Sequence, residues 1–193
     1  MKASTALTLL AGAALASASA AQGGRTERAI FAGGCFWSTE HDLEEVPGVI
    51  SVVSGFTGGT TANPVYGQAS SDGHVEAVVV VFDPARISYG QLARRFLRTI
   101  DPTDADGQFC DRGPHYRTAI FAIGAAQRRE ALAAVAEANR QLGGRVVTPV
   151  RAASRFYGVG AFHQDYARRN PERYAAYRRG CGRDARLRQV WGG

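Results

Sequence analysis

A short apolar run followed by two glycines and a cysteine most constrains how this chain folds. Residues 29–32 are typical of a strand, and Gly33-Gly34 permits a sharp strand-to-helix turn because glycine adopts positive φ without steric cost. Cys35 then begins a helical pattern. Unpaired backbone N–H groups at a helix N-terminus favour a thiolate, so we expect the pKa of Cys35 to be lowered.

Two interpretations of this cysteine remain open from the segment alone. In one, Cys35 is a small buried hydrophobic side chain packed among core aromatic rings. In the other, Cys35 is an activated thiol, and the rings of Phe36 and Trp37 form the wall of a slot for a small apolar group.

The periodicity along the chain predicts a single α+β domain. Strand patterns cover residues 28–32, 49–56, 74–83, 116–123 and 145–152, and helical patterns cover residues 35–46, 88–100 and 125–142. Ser88 and Gln91 form a capping-box pattern for the second helix. The order β-α-β-β-α-β predicts a two-layer ferredoxin-like sandwich with an extra helix and strand and an irregular C-terminal tail beyond Ser154.

One carboxylate interrupts the most apolar strand pattern. Alternation places one set of side chains on one face of the strand, namely Val75, Ala77, Val79 and Val81. The other face carries His74, Glu76, Val78 and Val80. If Glu76 is buried without a partner, its pKa is raised and it holds a proton at neutral pH, as a general acid must. The alternative is a carboxylate on a solvated face or paired with an arginine.

Two polar loops, residues 57–73 and 101–113, hold further candidates for a site. Tyr66 and Asp111 lie in these loops and Tyr116 lies beside the second, where each side chain offers a hydrogen bond to a polar oxygen.

A hydrolytic alternative combines Cys35 with His163 and Asp165 as a nucleophile, base and orienting group. No independent motif in the sequence supports that triad.

The N-terminus has the pattern of a secretory signal peptide. Lys2 supplies a positive charge, residues 3–16 are apolar or small, and Ala18-Ser19-Ala20 fits a cleavage site. We therefore expect a signal peptide at residues 1–20, a single catalytic domain at residues 21–193, and export, with the periplasm as the destination. An uncleaved membrane anchor is the alternative, although the apolar run is short for a membrane span.

The charge and the cysteine count exclude several classes of protein. The net charge is +6, but the basic residues are scattered and do not alternate with stacking aromatics, so we expect no nucleic-acid partner. Three cysteines, Cys35, Cys110 and Cys181, without a Cys-x-x-Cys motif predict neither a disulfide-stapled mini-fold nor a metal site. An odd number of cysteines in an exported chain indicates at least one reactive thiol.

The motifs resemble those of class A methionine sulfoxide reductases, the peptide-methionine (S)-S-oxide reductases. The segment Gly33-Gly34-Cys35-Phe36-Trp37 resembles the active-site signature of that family. Further motifs recur in the family's order, namely Pro47-Gly48-Val49, Gly55-Phe56-Thr57-Gly58-Gly59, Asn63-Pro64-Val65-Tyr66, Gly73-His74-Val75-Glu76-Ala77-Val78, Phe82-Asp83-Pro84, Asp101-Pro102, Tyr116-Arg117-Thr118-Ala119-Ile120 and His163-Gln164-Asp165-Tyr166.

The resemblance implies a role for each candidate. Cys35 would be the nucleophile that becomes a sulfenic acid, and Glu76 would be the acid. The side chains that would receive the ε-methyl group of the substrate are Phe36 and Trp37, and those that would hold the sulfoxide oxygen or a water are Tyr66, Asp111 and Tyr116.

The resemblance also implies how the cycle closes. A second thiol would condense with the sulfenic acid to form an intramolecular disulfide. We favour Cys181, in a glycine-rich setting, as this resolving thiol, with Cys110 as the alternative. A thioredoxin-like dithiol would then reduce the disulfide, with no cofactor. The implied substrates are oxidised proteins or free methionine sulfoxide in its S form, and we expect a monomer without stable membrane association.

Overall fold

The computed structural model of the protein describes residues 25–65, 67 and 72–192. The predicted signal peptide and Tyr66 lie outside these described residues. Within them the chain forms a mixed α+β fold, as the sequence predicts.

Strands and helices follow the predicted order. The strands are β1 (Glu27–Ala32), β2 (Val49–Thr57), β3 (Val75–Phe82), β4 (Gly107–Gln108), β5 (Asp111–Arg112), β6 (Ala119–Ala122), β7 (Val150–Ala152) and β8 (Tyr157–Gly158). The helices are α1 (Phe36–Glu44), α2 (Tyr89–Arg98), α3 (Gly124–Gln141), α4 (Tyr166–Arg169), α5 (Pro171–Gly180) and α6 (Arg183–Trp191), with a 3₁₀ turn at Pro114–Tyr116. None of the helices in the described part of the chain is both long enough and apolar enough to cross a bilayer.

Two predicted strands are shorter than expected. The pattern at residues 116–123 yields only β6, because a 3₁₀ turn that begins at Pro114 occupies the residues before it. The pattern at residues 145–152 yields only β7, which follows Pro149. Proline lacks the N–H donor that a strand ladder requires, so it marks the boundary.

Six strands form one mixed sheet in the order β7-β6-β1-β3-β2-β8. Neighbouring strands are antiparallel except for β6 and β7, which are parallel. In this register Glu76 on β3 lies opposite Phe56 on β2. The separate hairpin of β4 and β5 pairs Gln108 with Asp111, so Phe109 and Cys110 form its turn.

The central strands β1, β3 and β6 are buried on both faces over most of their length. Helices α1, α2 and α3 contribute to one apolar cluster, which includes Val78 and Val80 of β3. The opposite cluster includes Ala77 and Val79 and is covered in part by Phe156 from the tail. The alternation predicted for β3 is therefore confirmed, and Glu76 lies on the helix-covered face.

The C-terminal tail is ordered, which corrects the prediction of an irregular segment. Helix α5 begins at Pro171, whose fixed φ suits the first helical position. Gly182 adopts φ of 63° in the left-handed region and joins α5 to α6. Tyr174 and Arg183 bury their side chains against the rest of the domain. The glycine-rich setting of Cys181 is thus a defined junction between two packed helices.

The capping box of α2 offers a test of this local structure. The Ser88 hydroxyl accepts a hydrogen bond from the Gln91 N–H, and the Gln91 side chain accepts one from the Ser88 N–H. We expect Ser88→Ala to lower the free energy of unfolding by about 1 kcal/mol in urea titration. The matched variant Ser51→Ala, at an exposed strand position, should change it by less than about 0.5 kcal/mol. Equal effects of the two variants would contradict the assigned cap.

Candidate active site

The turn before α1 positions Cys35 by close packing. Gly34 has φ of +82°, and a Cβ atom there would lie 2.5 Å from the Cβ of Gln108. A Cβ on Gly33 would lie 2.7 Å from the Oγ1 of Thr39. Both glycines are required, because no side chain fits between the turn and its neighbours. Cys35 consequently caps α1 beside the β4–β5 hairpin.

The environment of Cys35 raises its pKa to about 12, which is opposite to our prediction. Burial is the largest cause, since the residue is 7% exposed, and the charges of Glu76 and Asp111 add to it. The Tyr177 hydroxyl beside the sulfur and the hydrogen bond from the Trp37 N–H to the sulfur act in the other direction but are outweighed. The helix N-terminus alone therefore does not ionise this thiol.

Glu76 accepts a hydrogen bond from one of the helix N–H groups that we expected to stabilise the Cys35 thiolate. Its Oε2 accepts a hydrogen bond from the Phe36 N–H at 2.9 Å, and the residue is 2% exposed. Burial raises the pKa of Glu76 to about 8 despite that hydrogen bond, and the charge of Asp111 adds to the increase. Of the two alternatives left open by the sequence, the structure has the buried carboxyl group, and this group has a backbone partner that the strand pattern did not reveal.

Asp111 and Tyr177 complete the polar side of the site. The Tyr177 hydroxyl on α5 donates to Oδ2 of Asp111 and also contacts the sulfur of Cys35. Burial raises the pKa of Asp111, although the Tyr177 hydrogen bond opposes the increase. The sequence reasoning missed Tyr177. A helical reading of the tail could have found it, because Tyr174, Tyr177 and Cys181 share one helix face at i, i+3 and i+7.

Aromatic rings form the apolar side of the site. The half-buried Trp37 ring stacks on Tyr166 with 3.7 Å between centroids and 8° between planes. Phe36 is almost fully buried, and its ring centroid lies 5.9 Å from that of Phe56 and 5.4 Å from that of His163. Phe36 and Trp37 thus belong to one aromatic cluster beside Cys35, as the sequence predicts.

The contacts of Asp165 do not favour the hydrolytic alternative. Asp165 forms an ion pair with Arg168 at 2.7 Å, and its N–H donates to the buried Glu40. His163 packs between the rings of the aromatic cluster, at 5.9 Å from Trp37. The Asp165 carboxylate is therefore engaged with an arginine, which does not favour its use as the third member of a Cys-His-Asp triad.

Of the remaining predicted residues, Tyr116 lies in the 3₁₀ turn that packs on β3, the strand that carries Glu76. Its half-buried ring is 4.0 Å from that of His115. The fold thus brings Cys35, Glu76 and Asp111 together and places Tyr116 on a neighbouring element.

The three cysteines divide into a disulfide and a free thiol. Cys110 and Cys181 are bonded to each other, with 4.9 Å between their Cα atoms, and Cys35 is free. We predicted that one of the two would pair with Cys35, but the structure pairs them with each other. Cys110 follows Phe109, which has φ of 56°, a conformation that costs a bulky residue about 1–3 kcal/mol.

This disulfide also bears on metal binding. In the described part of the chain, the one group of three potential ligands within 4.8 Å of one another is Cys110, Asp111 and Cys181. Because the two sulfur atoms are covalently joined, they are not available as thiolate ligands in this state.

The raised pKa of Cys35 predicts slow alkylation of the substrate-free protein. With the Cys110–Cys181 disulfide intact, iodoacetamide should modify Cys35 at pH 7 about 100-fold more slowly than it modifies glutathione, because few thiols are ionised. The rate should rise with pH to beyond pH 10. Mass spectrometry of the single free thiol measures it, and a plateau at or below pH 8 would contradict the raised pKa.

Comparisons with known proteins agree with this arrangement of residues. The sequence profile of the peptide methionine sulfoxide reductase family matches residues 27–193. Peptide methionine sulfoxide reductase MsrA 2 of Caulobacter vibrioides is 52% identical over 181 residues, which cover 92% of each chain. Peptide methionine sulfoxide reductase MsrA of Bacillus licheniformis is 44% identical over 176 residues, which cover 87% of this chain and 95% of the relative.

Solved structures share the fold. Methionine sulfoxide reductase A of Corynebacterium diphtheriae superposes with a TM-score of 0.71 at 32% identity, covering 78% of this chain and 77% of that one. Reduced Mxr1 of Saccharomyces cerevisiae superposes with a TM-score of 0.72 at 25% identity, covering 76% of this chain and 87% of that one. With the profile match over almost all of the described residues, these similarities show that the chain belongs to the class A peptide methionine sulfoxide reductase family.

Proposed function

We propose that Cys35 and Glu76 reduce the S form of methionine sulfoxide, free or peptide-bound, to methionine. The observation that carries this assignment is the hydrogen bond from the Phe36 N–H to Glu76, which holds a buried carboxyl group at the first turn of the helix that Cys35 caps. A sulfoxide is a poor electrophile until its oxygen is protonated, so nucleophile and acid must be adjacent.

The protonation states support a coupled transfer. Glu76, with a pKa of about 8, holds its proton at neutral pH, and so does the Cys35 thiol. Glu76 donates its proton to the sulfoxide oxygen while the Cys35 sulfur attacks the substrate sulfur. The ionised Glu76 then accepts the thiol proton. The hydroxyl group then passes from the substrate sulfur to the Cys35 sulfur: a sulfur–oxygen bond forms on Cys35 while the sulfur–oxygen and sulfur–sulfur bonds of the substrate sulfur break. Methionine leaves as the thioether with the electron pair, and Cys35 is left as a sulfenic acid, oxidised by the two electrons that the substrate gains.

The surroundings of Cys35 offer separate sites for the two ends of the sulfoxide. We assign Phe36 and Trp37 to the ε-methyl group, since their rings line the apolar side. We assign Tyr66, Asp111 and Tyr116 to the sulfoxide oxygen or to a water that it displaces. Asp111 accepts a hydrogen bond from the Tyr177 hydroxyl, which also contacts the Cys35 sulfur. This contact supports the place of Asp111 in the set.

The Cys110–Cys181 disulfide supports a two-step regeneration. In the first step, Cys181 condenses with the sulfenic acid, forming a Cys35–Cys181 disulfide and water. In the second, the Cys110 thiolate attacks Cys181, so that Cys35 leaves as a thiolate and takes up a proton. The product of this second step has the pairing present in the structure. The reverse order, with Cys110 attacking first, leads to the same product.

An external dithiol must then reduce the Cys110–Cys181 bond, and we propose a thioredoxin-like protein. The yeast relative Mxr1 has been solved in complex with Trx2, which supports this class of partner. Cys110 is the more exposed of the two sulfurs and is the accessible point of attack. The proposed cycle uses only cysteine sulfur and this dithiol, without a metal or an organic cofactor.

Three broader features complete the proposal. Export to the periplasm is supported by the signal-peptide pattern at residues 1–20. A ferredoxin-like core is supported by the contiguous strand order β6-β1-β3-β2. We further propose that the chain acts as a monomer on oxidised proteins and free methionine sulfoxide, without nucleic-acid or stable membrane partners.

Glu76→Gln tests the assigned acid. Its amide oxygen can still accept from the Phe36 N–H, but it cannot deliver a proton, so release of the first methionine from an S-sulfoxide substrate should slow by about 10²- to 10⁴-fold. Cys35→Ser should abolish release. Glu44→Gln, at a carboxyl group with a raised pKa further along α1, is the matched control and should retain the rate. Undiminished release by Glu76→Gln would place the acid elsewhere.

Glu76→Gln should also change how the free energy of unfolding depends on pH. The folded pKa of Glu76 is raised above its usual value of 4.5 to about 8, so its contribution to stability is present below pH 4.5 and is lost as pH rises through 8. Glu76→Gln should lack this component of the pH dependence in urea titrations.

The regeneration steps predict a distinctive stoichiometry. Without reductant, the fully reduced protein should release about two methionines per chain, because the exchange frees Cys35 for a second turnover. Cys181→Ser and Cys110→Ser should each release about one. Mass spectrometry should find a trappable sulfenic acid in Cys181→Ser and a Cys35–Cys181 disulfide in Cys110→Ser. The opposite pattern would show that Cys110 attacks first. A single methionine from the wild-type protein, as from each variant, would show that the disulfide takes no part in the cycle.

A further inference from the structure

A fully buried arginine lies two residues after Cys181. Arg183 begins α6, and its side chain is only 2% exposed. Burying a guanidinium is costly unless its charge and donors have partners, so the contacts of Arg183 must offset a large desolvation penalty. No step of the proposed cycle uses this residue.

The contacts of Arg183 reach the segments that carry the other two cysteines. Its Nη2 donates to the Thr99 carbonyl oxygen at 2.7 Å and lies 3.3 Å from Oδ2 of Asp42, a residue of the helix that Cys35 caps. Its guanidinium carbon lies 4.4 Å from the centroid of the Phe109 ring. Phe109 directly precedes Cys110 and has the left-handed φ of 56°. Arg183 thus stacks on the residue before one cysteine and follows the other by two residues.

Arg178, on the other side of Cys181, also connects the α5–α6 junction to α1. Its Nη1 donates to Oδ1 of Asp42 at 2.7 Å, and its Nη2 lies 2.7 Å from Asp184 on α6. The two arginines therefore bind the α5–α6 junction to the same carboxylate of α1. Only Arg183 also contacts the turn that holds Cys110, so it alone of the two joins all three cysteine-bearing segments.

We propose that Arg183 is the positioning residue for the exchange between Cys110 and Cys181, which rests on the regeneration steps proposed above. In that exchange the Cys110 thiolate forms a bond to the Cys181 sulfur while the Cys35–Cys181 bond breaks and Cys35 takes up a proton. Its rate depends on how often the two sulfurs lie within bonding distance, which is an effective concentration. A planar guanidinium can stack on a ring and donate in its plane at once, which a lysine ammonium cannot do.

The test separates this exchange from the sulfoxide chemistry. In Arg183→Met, which is uncharged and of similar length, the reduced protein without reductant should release its first methionine at the wild-type rate. Release of the second should slow by about tenfold or more, because it waits for the exchange to free Cys35. Arg183→Lys should recover part of the rate. Arg188→Met, at an exposed position of the same helix, is the control and should match the wild type at both steps.

A second measurement does not depend on turnover. In Cys35→Ser protein, equilibration with oxidised and reduced dithiothreitol reports the reduction potential of the Cys110–Cys181 disulfide. Adding Arg183→Met should lower the effective concentration of its thiols about tenfold, which raises the potential by about 30 mV. If the wild-type protein releases no methionine, the proposed function is refuted. The potential measurement still tests the role of Arg183 in that case.

Two results would overturn the proposal. One is a folded Arg183→Met variant that releases its second methionine within twofold of the wild-type rate and whose disulfide potential lies within a few millivolts of the wild-type value. The other is equal slowing of both methionine releases, which would indicate general damage to the domain. If circular dichroism shows that Arg183→Met is unfolded, Arg183→Lys takes its place, and wild-type values for it would also overturn the proposal.

Discussion

The hydrogen bond between the Phe36 N–H and the Glu76 carboxyl group is the contact on which this site depends. It joins the first turn of α1 to the middle of the sheet, and it satisfies one of the backbone donors that every helix N-terminus leaves unpaired. Glu76 lies there because β3 pairs with a strand on each side and is buried on both faces. Cys35 lies there because two glycines let α1 begin directly above that strand. The proposed nucleophile and the proposed acid are thus adjacent although 41 positions separate them in the sequence.

Burial affects Glu76 and Cys35 in the same way, whereas the proposed reaction requires opposite behaviour of the two groups. A sulfoxide reductase needs a carboxyl group that keeps its proton and a thiol that loses one, but low dielectric surroundings favour the neutral form of both. Here the pKa of each is raised, to about 8 for Glu76 and about 12 for Cys35. The substrate-free site therefore favours a neutral acid beside a neutral thiol. In the proposed mechanism, ionisation of Cys35 is coupled to proton transfer onto the sulfoxide, so that the resting thiol stays neutral between turnovers.

The C-terminal helices form an active part of this arrangement. Helix α5 carries Tyr177 to the sulfur of Cys35 and to Asp111. The junction after it carries Cys181 to Cys110, and Arg178 and Arg183 bind that junction to Asp42 on α1. The proposed acid, the proposed nucleophile and the disulfide are consequently connected through one helix, since α1 begins at the thiol and bears the carboxylate that binds both arginines.

The sequence by itself determined the features that depend on neighbours within a few positions. These include the order of the strands β1, β2, β3, β6 and β7 and of the helices α1 to α3, the capping box at Ser88, the alternation along β3 and the glycine turn before Cys35. The tertiary structure alone decided the pKa of Cys35, the contact of Tyr177 and the pairing of Cys110 with Cys181. Periodicity and turn chemistry act over one or two turns of chain, whereas desolvation and disulfide pairing depend on what the fold brings alongside, here across 71 positions for the two bonded cysteines.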